Sequence, residues 1–125
     1  MIFEIVSPIL GFEDIKVLEL KKIDDFFVNI TTNNGLSWTL VNPFVLRKYS
    51  FDIPLYAQIL LDMQKDSSIE VYCMVVLQNP LEDSKVNFLA PLIFNMYNKK
   101  AIQVVFSSLD YPEFAKFQPL KEFVK

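Results

Sequence analysis

Apolar and polar residues alternate in short blocks along most of the chain. Turn-forming residues separate the blocks at intervals of about ten residues, which is the pattern of an antiparallel β domain. Ile2 to Val6 places Ile2, Glu4 and Val6 on one face and Phe3 and Ile5 on the other, and Ser7-Pro8 ends it. Lys16 to Leu20 and Phe26 to Thr31 read as the second and third strands. Asn33-Asn34-Gly35 is a hairpin signal, because Asn and Gly accept the positive φ of a tight turn. Leu36 to Val41 returns as the partner strand. From Ile69 to Gln78 both rows are apolar, as in a strand buried on two sides at the centre of a sandwich or barrel. Val86, Phe88, Ala90, Leu92 and Phe94 form the next apolar row. Pro91 cannot donate to a ladder and predicts an edge or a bulge there. Asn98-Lys99-Lys100 is a loop, Ala101 to Phe106 the returning strand, and residues 110–125 are irregular or briefly helical.

One stretch breaks this rhythm. In Phe51-Asp52-Ile53-Pro54-Leu55, Asp52 suits an N-cap and Pro54 a first helical turn. Leu55, Ile59, Leu60 and Met63 then recur at helical spacing, while Gln58, Asp62 and Gln64 are polar, predicting a helix from Ile53 to about Gln64. The expected fold class is therefore mainly all-β: a small antiparallel β-barrel-like domain with one short helix near residues 53–64. With 125 residues, 52% of them hydrophobic, one domain spanning 1–125 is expected, with enough core to stand without staples.

Composition removes several chemistries. Histidine is absent, so histidine bases, triads and histidine-ligated metals drop out. A single cysteine gives neither an internal disulfide nor a thiolate cluster. Gly11 and Gly35 stand apart, so no glycine-rich phosphate loop can be written. No catalytic residue, cofactor or metal ligand is expected. Arg47 is the only arginine and the pI is near 4.9, which is poorly suited to direct nucleic-acid contact. The first residues lack a basic start and carry Glu4 within the apolar stretch, unlike a signal peptide. No uncharged apolar run reaches the length of a membrane span, roughly 18 residues. The expectation is a cytoplasmic protein with no membrane contact, whose charge of −3 suits a basic protein partner.

Cys73 lies in the most apolar strand and reads as an inert core thiol. Glu13-Asp14, Asp24-Asp25 and Glu82-Asp83 are adjacent carboxylates that point to opposite faces of a strand, so they make poor acid–base dyads. They read as solvated turn charges, with an acidic docking surface as the competing role. Lys21-Lys22, Arg47-Lys48 and Lys99-Lys100 are spread over separate loops and strand ends. Phe26, Phe88, Phe94 and Phe106 sit in apolar rows, which favours core packing over base stacking. Two segments resist a pure core reading. One is Asn42-Pro43-Phe44. The other is Asn87 to Asn95, where Leu89, Pro91 and Ile93 form an apolar row bracketed by Asn87 and Asn95. That row is either a partner-facing edge or a face covered by the helix or the C-terminal segment.

These residues resemble the FliW family of flagellar assembly factors. Gly11-Phe12-Glu13, Asn42-Pro43-Phe44, Tyr49-Ser50-Phe51-Asp52-Ile53-Pro54, and Asn87 to Asn95 closed by Gln103-Val104-Val105 carry the match, in that order. It runs from Ile2 to about Phe114, and the long last motif is its specific part. Leu92 stands where family members often have Ile, and Arg47-Lys48 is a basic pair in a loop expected to be aromatic or acidic. The resemblance implies a non-catalytic β-barrel-like domain with two protein ligands: unassembled flagellin and CsrA, a small basic dimer that represses flagellin translation. Free protein of this type binds CsrA and relieves the repression; accumulated flagellin occupies it instead. A small-molecule-binding or enzymatic β-barrel is the competing class. The candidate partner-binding residues are Asn42, Pro43, Phe44, Asp52, Glu82, Asp83, Asn87, Leu89, Pro91, Ile93 and Asn95, with Leu89 and Ile93 expected to help hold flagellin.

Overall fold

The computed structural model describes residues 1–9, 11–115 and 119–123. Among these, the strands are β1 (Ile2–Ile5), β2 (Val17–Lys22), β3 (Phe27–Thr32), β4 (Ser37–Val41), β5 (Ile69–Val76), β6 (Lys85–Val86), β7 (Leu92–Asn95) and β8 (Lys100–Gln103). The one α-helix among them, α1, spans Leu55–Leu60. Single 3-10 turns lie at Pro43–Val45, Leu81–Asp83, Pro112–Phe114 and Leu120–Glu122.

Seven strands close into a barrel in the order β1-β2-β3-β4-β5-β7-β8, and β8 returns to β1. The short β6 is attached to β5. Every pair is antiparallel except β1 and β8, which run parallel through Glu4↔Lys100 and Ile5↔Ala101. This departs from the expected antiparallel barrel, and the strand number is the reason. Seven alternating strands leave the first and last pointing the same way. The Asn33-Asn34-Gly35 turn connects β3 to β4, with Gly35 at φ +89 and Thr31 opposite Ser37. Glycine is needed there because a side chain would strain this left-handed backbone.

The barrel interior is solid. Phe3, Leu18, Leu20, Ile30, Leu40, Tyr72, Leu92 and Phe94 fill it, with Phe3 and Phe94 edge to face at 5.0 Å between ring centres. A barrel of this strand number is wide enough for packed side chains and little else. A second apolar layer covers the outside of β5, β7 and β8. Val71, Cys73, Ile93 and Ile102 meet Leu46, Tyr49, Ala57, Leu61, Phe88, Phe114 and Leu120 from the surrounding segments.

That outer layer corrects two expectations. Residues 86–94 are not one strand. β6 ends at Val86, a turn occupies 88–90, and β7 begins only after Pro91. Ile93 is therefore not on an open face: it is fully buried between Val71 and Ile102. Pro91 and Asn95 are buried as well. The helix is also shorter than expected. Ile53 precedes a proline and is held out of the helical region. Helix α1 thus starts at Leu55 with Pro54 as its N-cap, and Asp52 lies too early to cap it. It ends at Leu60, and Asp62, just past the C-cap, has φ +51. The buried stripe is Ala57 and Leu61, not Leu55 and Ile59, which are 70% and 68% exposed. On β5 the double burial covers Val71 to Cys73 only, and Val76 and Leu77 face outward. The expectations that fall on residues 116–118, 124 and 125 lie outside the described residues.

Candidate functional site

The residues read as partner-binding divide by what their polar atoms do. Asn42 ends β4 and accepts the amide of Phe44 at 3.0 Å, capping the turn Pro43–Val45. Pro43 is buried by that turn, while Phe44 is pushed outward, 51% exposed. Asn87 accepts the amide of Leu89 at 3.2 Å, forming a local Asx turn, and both residues are half-buried. Asn95 donates through Nδ2 to the carbonyl of Leu61 at 3.0 Å and accepts the amide of Tyr97 at 3.0 Å. It ties the end of α1 to β7 and is inaccessible. Asp52 is exposed, and its amide donates to the Tyr111 hydroxyl at 3.3 Å. Glu82 is exposed. Asp83 sits 3.0 Å from Lys121 Nζ, and this bond raises the lysine's affinity for its proton.

The tyrosine of the 49–54 motif holds the outer layer. Its hydroxyl donates to the carbonyl of Phe88 at 2.7 Å, and the Cys73 thiol lies 3.9 Å from the Tyr49 hydroxyl oxygen. Burial drives the Tyr49 phenol far above its ordinary range and pushes the Cys73 thiol up to about 12. The thiol is buried, as expected from its strand, and burial disfavours the reactive thiolate. The Arg47 guanidinium lies 5.1 Å from the ring centres of both Phe88 and Phe114 and donates to the Glu113 carbonyl at 3.2 Å. Gly11-Phe12-Glu13 folds on itself: the Gly11 amide donates to the Glu13 carboxylate at 3.1 Å, which holds that carboxyl below its usual range. The Phe12 ring meets Trp38 edge to face.

Among the described residues, three outward surfaces gather several exposed apolar side chains. The first is a groove of about 410 Å³ beside the mouth of the barrel. It forms because β4 stops at Val41. Only Leu40 and Val41 pair with β5, at Met74 and Cys73, and Asn42-Pro43 then carry the chain away from Ile69 to Tyr72. The turn after β2 supplies the facing wall. Asp24 accepts the amides of Phe26 and Phe27, both at 2.8 Å, and this bend turns Phe26 outward, 40% exposed. Asp24, Asp25 and Glu70 line the groove with Lys22, which pairs with Glu70 at 3.1 Å. The second surface is an apolar groove of about 300 Å³ between Phe26, Leu46, Leu81 and Leu120, lined also by Glu82. The third is the outer side of α1, where Leu55, Tyr56 and Ile59 are exposed.

Reading the sequence missed the first groove. Its signal was present as an acidic pair beside Phe26 and an Asn-Pro pair that stops a strand, but pattern alone placed Phe26 in an apolar row. Among the described residues no group of three or more acidic, cysteine or histidine side chains is placed to hold a metal ion. No helix among them is long and apolar enough to cross a membrane.

The arrangement has relatives. A family model described as "FliW protein" matches residues 1–116. A Wolinella succinogenes protein named flagellar assembly factor FliW 1 is 49% identical over 127 aligned positions, covering 100% of this chain and 99% of that protein. A Helicobacter pylori protein named flagellar assembly factor FliW is 51% identical over 122 positions, covering 94% of this chain and 90% of its own. A crystal structure of the flagellar assembly factor FliW superposes with a TM-score of 0.80 at 20% identity, over 94% of this chain and 82% of that one, and so shares the fold.

Proposed function

This chain belongs to the FliW family, and on that premise we propose that it is a non-catalytic, protein-binding regulator of flagellum assembly. It binds unassembled flagellin. It also binds a CsrA-type RNA-binding repressor by protein contact and relieves repression of flagellin synthesis. Both ligands are met in the cytoplasm.

The observation that carries this reading is where the apolar side chains lie. The barrel axis is filled by Phe3, Phe94 and their neighbours, while Leu55, Tyr56, Ile59, Phe26 and Phe44 face outward. A closed and filled barrel offers its ligands an outer surface, and outward apolar side chains beside carboxylates suit protein partners. Because Ile93 is fully buried, the exposed side of α1 takes the role expected of it, and Leu89 is half-buried. It offers the apolar contact that an unassembled flagellin helix needs to cover.

The test uses the purified chain, monomeric flagellin and the CsrA-type repressor of the same cell. Titration calorimetry should show binding to each alone. Preloading with flagellin should reduce the repressor signal. Binding to neither protein refutes the reading.

A further inference from the structure

We propose that the groove between the turn after β2, the Pro43–Val45 turn and the start of β5 is a docking site for an arginine or lysine side chain on an extended segment of a protein partner. The inference goes beyond the partners named above, because it concerns the chemistry of one groove.

Three features point to this occupant. The walls combine exposed aromatic rings, Phe26 and Phe44, with Val28, Ile69 and Val71 behind them. Rings of this kind attract cations as well as apolar stems, and long basic side chains carry both in one group. The rim is acidic: Asp24, Asp25 and Glu70 outnumber Lys22. The lysine occupies one carboxylate only, Glu70, at 3.1 Å. Asp24 spends one oxygen on the amides of Phe26 and Phe27, which fixes the wall. Asp25 is exposed beside it. An incoming guanidinium would place its charge against this rim and its methylenes against the rings. A neutral or acidic segment would leave the carboxylates unanswered. The groove also runs along Ile69 to Tyr72, which pair with β7 on one edge and have no β4 residue opposite them on the other. That open stretch suits an extended segment better than a compact cation.

The ¹⁵N-labelled full chain is titrated with a short capped peptide carrying one central arginine between leucines, at about 50 mM salt. The same peptide with citrulline in place of arginine keeps the shape and removes the charge. Spermidine supplies charge without apolar flanks. The arginine peptide should shift the amides of Asp25, Phe26, Phe44 and Glu70 saturably and weaken on going to about 300 mM salt. Citrulline substitution, Asp25→Asn and Phe44→Ala should each weaken it, the last by about two- to fivefold. Both altered side chains are exposed, and the rest of each variant's spectrum reports that the fold is kept. Equal binding of the citrulline peptide, equal binding of spermidine, shifts confined to another surface, or full affinity in folded Phe44→Ala would each overturn the proposal.

Discussion

Replacing Tyr49 by Phe removes one oxygen and leaves the ring. The ring is packed against Phe44, Phe51, Phe88 and Phe114 at centre distances of 5.6, 5.4, 5.7 and 4.6 Å, and those contacts survive. What is lost is the 2.7 Å bond to the carbonyl of Phe88, inside the outer layer. Tyr49 and Phe88 are both buried, so water cannot readily replace the donor. Leaving a buried acceptor unmatched costs about 1–3 kcal/mol. For a chain of 125 residues, an unfolding entropy of roughly 2.1 cal/mol/K per residue makes each kcal/mol worth about 4 °C. Tyr49→Phe should therefore melt lower by about 4–11 °C, with an unchanged urea m-value. Tyr49→Ala, which also empties the ring's place, should cost about 3–5 kcal/mol for packing alone. A Tyr49→Phe protein that melts within about 1 °C of the parent would refute the claim that this hydroxyl pins the 87–91 turn.

The buried row on β7 gives the next expectation: Ile93→Val should cost about 1 kcal/mol in urea unfolding, whereas Ile93→Asp should prevent folding. A well-folded Ile93→Asp would show that β7 is not sandwiched between two layers. Alkaline pH should destabilise the protein. Burial raises the proton affinity of Cys73, Tyr49 and Tyr72 in the fold, so above about pH 9 the unfolded chain loses protons that the folded chain keeps. The thiol's share is fully present below the unfolded pKa and is lost as pH rises toward 12, at up to about 1.4 kcal/mol per pH unit. Cys73→Ala should flatten the decline, and identical slopes in stability measured from about pH 9 to 11 would count against it. On α1, Leu55→Glu with Ile59→Glu should change stability by no more than about 0.5 kcal/mol per site, because both side chains are exposed. The pair should weaken flagellin capture in the titration; undiminished capture would move flagellin to another surface.

How far the sequence carries depends on the range over which each feature is decided. β1 to β4 are decided locally. Alternation and a glycine turn place them within one or two residues, and Phe3, Ile5, Leu18, Leu20 and Ile30 all point inward. The faces of β7 and α1 are decided by segments far along the chain. Ile93 and Ala57 are buried by a layer that includes Phe114 and Leu120, and no local period reports that cover. Helical spacing marked Leu55 and Ile59 as one stripe, correctly, but which stripe turns inward is settled by what lies beneath the helix. Small Ala57 lets α1 sit close to the barrel, and the larger residues are left outside.

The same distinction explains why the polar residues of several motifs are taken up by backbone groups. A polar side chain in an apolar setting invites a binding role, yet in this fold its first use is to satisfy backbone groups where the chain leaves regular structure. Asn42 caps the turn that ends β4, Asn87 closes the turn before Pro91, and Asn95 answers the Leu61 carbonyl just past α1. Tyr49 does the same across 39 residues. Each bond also has an outward consequence. By capping Pro43–Val45, Asn42 exposes Phe44 and ends the β4 pairing along one edge of β5; by accepting two amides, Asp24 exposes Phe26. Asn42 and Asp24 thus act as positioning residues, and the rings they turn outward make the contact. Weakening a cap should disturb the groove through the position of its rings, whereas Phe44→Ala should disturb it with every cap intact.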